Sequence, residues 1–289
     1  MELASSAGEI HPMVLCMLSA LDRAHDATRV FKKGTMCSPS EISAFARMEP
    51  LNRLNVENLT DQVHEEGAGA YIPVRQIKKN KEMTEFATDF VPLLHTGVEQ
   101  SNAVKYVLWE LIRNVLEHAG SLDGAFAAAE VALDGTIRVG VADTGIGVLA
   151  SISRFHSARD ESRAIGLALG PGVSGTTSKY GGNEQNGGAG LFFMKAMASL
   201  ARQHMVVVSG STVMCMRPQS AELPVVNPEL SSDDVRWSSL ETPFPGTAVG
   251  VDVSLRDSDE FKKLLAEIGQ IYHANVRAKA REARKARFT

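Results

Sequence analysis

Three cysteines in 289 residues, Cys16, Cys37 and Cys215, are too few and too scattered for a disulfide framework, and no two stand at a metal-ligand spacing. A reducing, cytoplasmic setting is therefore the expectation. Charge of one sign is also missing. The net charge of -4 and pI of about 6.1 give no global attraction to nucleic acid. The basic tail RAKAREARKARF has no aromatic side chains interleaved for base stacking, so nucleic acid is not an expected partner. No apolar run reaches bilayer length. Met13 to Leu21 is too short, and Glu2 and Glu9 precede it where a targeting segment would carry basic residues, so no membrane partner is expected either.

What is present is core-forming material, 44% hydrophobic residues, and one chemically loaded helix, YVLWELIRNVLEHAG from Tyr106 to Gly120. At about 100° per residue, Val104, Leu108, Leu111, Ile112 and Val115 fall on one apolar face. Glu110, Asn114 and His118 recur at i, i+4 and i+8 along its border. Lys105, Arg113 and Glu117 are expected to face water. A carboxylate, a carboxamide and an imidazole beside a buried face suit a metal and phosphate site, because oxygen donors hold Mg²⁺ and a carboxylate orients a nucleophile. The alternative is an amphipathic helix whose polar positions only edge the core.

Downstream, Val131–Leu133 and Ile137–Ala142 read as strands joined at Asp134-Gly135, and the second ends in DTGIG, Asp143 to Gly147. An acidic residue at a strand end followed by two glycines suits a nucleobase pocket, with a calcium turn or plain loop as alternatives. NGGAGLFF, Asn186 to Phe193, then opens a helix whose first amides and dipole suit phosphate. PGTAVGVDVSL, Pro245 to Leu255, reads as a late strand. Tyr71–Ile77 reads as a strand and Lys81–Leu94 as an amphipathic helix.

In that order these motifs resemble the GHKL ATPase superfamily, which takes in gyrase, the ninety-kilodalton heat-shock chaperones and sensor histidine kinases, over roughly Gly69 to Leu255. The resemblance implies an α/β fold, a two-layer sandwich of a mixed β-sheet with helices on one face, the Bergerat ATP-binding fold. It would span 67–257 with a lid at 148–186; by their own patterns 1–66 reads as a small α/β segment and 258–289 as a basic amphipathic helix with Phe261, Leu264, Leu265, Ile268, Ile271 and Tyr272 as its apolar stripe. ATP and Mg²⁺ are the implied cofactors. Asn114 would bind the metal, Glu110 would orient or deprotonate the attacking group, and Asp143 would accept a hydrogen bond from adenine's amine. Gly145 and Gly147 would lie against the base, with Thr247 in support. Gly188 and Gly190 would turn amides onto phosphate, and Thr177, Lys179 and Leu191 complete the expected nucleotide contacts. His118 takes the family's last motif position, or else only holds the helix against the lid. Glu117 departs from the kinases, which place a basic residue there. Lys179, Arg159 and Arg163 are the candidates to replace it.

The glycine-rich lid is expected to be mobile without ligand and to close over ATP. In 1–66, Met13–Met17 and Thr28–Phe31 read as strands and a helix capped by Ser38 or Ser40 runs to Met48. The leading functional expectation is a slow Mg²⁺-dependent ATPase whose lid switches a partner protein. A protein kinase resembling the stand-alone anti-sigma serine kinases is the second, and a nucleotide sensor without turnover the third. Homodimerisation is left open.

Overall fold

The computed structural model describes residues 10–25, 70–175, 177, 189–220, 225–254 and 260–285. Five strands form one sheet, in the order β1-β2-β3-β5-β4: β1 Tyr71–Ile77, β2 Ala125–Val131, β3 Ile137–Asp143, β4 Met205–Met216 and β5 Val235–Val253. Every neighbouring pair is antiparallel, so the mixed sheet expected from the sequence is corrected. The β2–β3 hairpin turns through Asp134-Gly135, where the Asp134 carboxylate accepts from the Thr136 amide at 2.9 Å.

One sheet face carries small and branched side chains, among them Ala127, Ala129, Val139, Val141, Val249 and Val251. On it lie α3 (Val98–Asn114, continued by a π turn, Val115–Ala119) and α6 (Gly190–Leu200), and α7 (Glu260–Lys285) packs against these two helices. The alanines of β2 let α3 approach closely, and Val104, Leu108, Leu111, Ile112 and Val115 are all buried there. The segment α2 (Asn80–Glu85) runs on through π and 3₁₀ turns to Leu94, in place of one regular helix. An aromatic cluster fastens α7 to the other two helices: Tyr106 of α3 meets Phe261 at 6.0 Å between ring centres, and Phe192 of α6 meets Tyr272 at 6.0 Å.

The second face is also covered. Helix α1 (Pro12–His25) lies on it, packing Met13, Cys16, Met17 and Ala20 against Phe126, Ala128, Ala142, Val206 and Ala248. Helices on one face only, and a strand at Met13–Met17, are thus both corrected. The seat for α1 is made by two glycines facing each other across β3 and β5, Gly140 and Gly250. A Cβ on Gly140 would sit 2.2 Å from the Met13 amide nitrogen, and one on Gly250 would sit 2.9 Å from the His11 ring. Cys16 Sγ donates to the Gly140 carbonyl at 3.3 Å. The other expectations for 1–66, the strand at Thr28–Phe31 and the helix to Met48, lie outside the described residues.

The segment expected to be a mobile lid is partly core. α4 (Gly147–Ile152) and α5 (Glu161–Ala168, capped by Asp160) bury Val148, Ile152, Ala164 and Ile165. The reason is an apolar period that the glycine-rich end of the segment obscures. Of its remainder, 176 and 178–188 lie outside the described residues.

Candidate functional site

A cavity opens where four separated stretches meet: α3 with its π turn, the DTGIG loop after β3, the start of α6, and β5. Asn114, His118, Asp143, Gly147, Gly190, Leu191 and Thr247 line it together. Gly145 sits just behind, and its position explains the joint between loop and helix. A Cβ there would fall 2.2 Å from the Ala119 carbonyl oxygen, while the Ile146 amide donates to that same oxygen at 2.8 Å. Only glycine lets the loop close on the end of the π turn.

Asp143 ends β3 opposite Thr247 of β5 and is 2% exposed. Its Oδ1 accepts from the Gly145 amide at 2.7 Å. Burial pushes the carboxyl up to about 7, against the opposing hydrogen bonds from the backbone at Gly145 and Thr247. A second anchor was not read from the sequence. Ser209 Oγ of β4 accepts from the Val148 amide at 2.8 Å and pins the loop where it enters α4.

Glu110 lies beneath the start of α6. A Cβ on Gly190 would come within 2.5 Å of Glu110 Oε2 and 3.6 Å of Asn114 Nδ2, so glycine is what admits both side chains. Burial raises the proton affinity of Glu110; Arg113 opposes the rise and Glu117 adds to it. Arg113 corrects the expectation that it faces water: it lines the cavity, and its Nη2 donates to Glu110 Oε2 at 2.7 Å. The Cα–Cβ bonds of a helix tilt toward its N-terminus, which carries a long side chain at i+3 back over residue i. Glu117 is exposed, as expected. His118 is held below the usual imidazole range, chiefly by burial, and is neutral at pH 7.

Two buried donors in the site, Asn114 Nδ2 and Arg113 Nε, have no hydrogen-bond partner among the described residues. Buried donors of this kind call for a partner, which a water, an ion or a ligand in the cavity would supply. Thr177 stands off the cavity lining, its carbonyl 3.1 Å from His156 Nε2. Arg159 and Arg163 are exposed on the α5 side, also off the lining. Lys179 and Gly188 lie outside the described residues.

Among the described residues no cluster of three or more His, Cys, Asp or Glu is placed to hold a metal ion. A single carboxamide with no carboxylate cage fits Mg²⁺ bound largely through a ligand's phosphates and water, since Mg²⁺ keeps several waters and is commonly held that way. No described helix is long and apolar enough to cross a membrane.

Fold and site together define an α/β protein with a pocket, mostly apolar and floored by Asp143 and Thr247, at the junction of a five-stranded antiparallel sheet and its helices. No protein-family model matches the chain, and no curated protein matches it.

Proposed function

We propose that this is a Mg²⁺-dependent ATP-binding protein, a slow ATPase whose nucleotide state switches a partner protein. The observation that carries the reading is the meeting, on one cavity, of Asn114, Asp143, Gly190 and Thr247 from four stretches of the chain. The buried Asp143 has backbone amides as its partners, which leaves carboxylate lone pairs for an exocyclic amine at the cavity floor. Adenine presents an amine there and guanine a carbonyl, so the same acid selects between them. Asn114 would hold Mg²⁺ through its side-chain oxygen, and the ion would offset phosphate charge. The start of α6, where no side chain caps the helix, offers its first amides and a favourable dipole to phosphate. Glu110, buried and raised in proton affinity, is the general base.

Calorimetry with ATP and Mg²⁺ tests this directly. We expect saturable binding by the wild type, about tenfold or greater weakening in Asp143→Ala, and in Glu110→Ala binding retained with release of labelled phosphate lost. Folded protein that takes up no ATP sinks the proposal. Label found on a co-purified protein in place of free phosphate reassigns the output to phosphotransfer.

A further inference from the structure

The ion pair between Glu110 and Arg113 is poorly placed for a permanent structural contact. Arg113 lines the cavity while the buried Glu110 lies off its lining; the pair is 2.7 Å long and uses the Nη2 end of a guanidinium whose buried Nε has no partner among the described residues. A guanidinium presents five N–H donors in a fork, and the arrangement leaves that fork partly unsatisfied. The Glu110 carboxylate meanwhile lies against Gly190 at the first turn of α6, where the helix dipole favours an anion. Arg113 is also the only lysine or arginine among the described residues lining the cavity, and its neighbour His118 is neutral.

From this juxtaposition, and resting on the ATP-site reading above, we propose that Arg113 is the cation that takes the nucleotide's terminal phosphate, and that its pair with Glu110 is the ligand-free arrangement, exchanged for phosphate on binding. The carboxylate then acts as an internal stand-in for phosphate, holding both the guanidinium and the start of α6 until a real phosphate displaces it. Arg113 opposes the rise in proton affinity that burial gives Glu110. Its departure therefore strengthens the carboxylate as a base only when phosphate is present. A protein wired this way does not expose its base to water without substrate.

The test compares dissociation constants for ATP and ADP, each with Mg²⁺, in the wild type and three variants. Wild type prefers ATP. Arg113→Gln loses that preference by about tenfold or more while ADP binding changes less than about threefold, and Arg113→Lys restores part of it. Retained ADP binding shows that the variant pocket is folded. Glu110→Gln tightens ATP, because no anionic competitor holds the guanidinium. A scaffold role for Arg113 predicts the opposite pattern: equal losses for both nucleotides in Arg113→Gln, and weaker ATP in Glu110→Gln. Either result overturns the exchange, as does a wild type with no preference for ATP. If ATP binds the wild type while the Arg113 variants are silent, only this inference falls; if the wild type binds neither nucleotide, the ATP-site reading falls and takes it along.

Discussion

Asp143 is the residue whose chemistry and stability pull in opposite directions. Folded, its carboxyl keeps a proton up to about 7, whereas the ordinary value is 3.8. Between those values the folded state binds more protons than the unfolded chain, so stability falls as pH rises through that window and stays low above it. Replacing the acid by a neutral isostere removes the penalty. Asp143→Asn is expected to melt higher than wild type at pH 8, by about 1–2 kcal/mol in denaturant titrations, and to show no gain at pH 4. Nucleotide affinity should follow the reverse course, weakening in the wild type as pH drops below about 7 and losing that dependence in Asp143→Asn, which calorimetry at pH 6 and 8 will register. Asp143 and its two glycines stood out in the sequence as an acid at a strand end before G-x-G, a pattern that singles out the loop without singling out its ligand. Arg113 was not, since a helical wheel assigns a direction to Cα and ignores how far an arginine reaches back along the helix.

At the scale of elements, legibility followed periodicity. The apolar stripes of α3 and α7 were readable, since each buries a single face, and so were β3 and the turn before it; the strand expected at Val131–Leu133 is corrected, because β2 is the alanine-rich run Ala125–Val131, buried on both faces and without alternation. α1 was misread as a strand because it lies flat on a floor of alanine and glycine and buries most of its surface, which blurs the helical period. β4, a valine-rich edge strand, went unread because its run MVVVSGSTVMCM follows directly on α6 with little turn signal. The glycine seat makes the α1 arrangement testable. Gly140→Ala should cost about 1–3 kcal/mol, by pushing a methyl group into the Met13 backbone. Hydrogen exchange should show α1 amides losing protection before those of α3. Equal protection of α1 in wild type and variant would count against this packing.

On one side of the sheet an aromatic cluster joins α3 and α6, the two helices that carry the site, to α7. Tyr272 is 7% exposed and touches Phe192 and Phe193 at ring-centre distances of 6.0 and 5.8 Å. Tyr272→Ala should cost about 3 kcal/mol, with the loss shared by the entire structure. Unfolding followed by tryptophan fluorescence and by far-UV circular dichroism should remain a single coincident transition. A separate early loss of helix signal would mean that α7 is held independently of the other two.

His11 touches Asp252 across 241 residues of chain, and Met13 rests on strands that end at residues 143 and 253. On a ribosome, then, α1 emerges well before β2 and β3, which supply most of its berth, and its His11 contact waits longer still, for β5. Such a topology folds slowly, because the long loop must close before the contact rewards it. An oily helix left waiting for that long is a natural client for chaperones during synthesis.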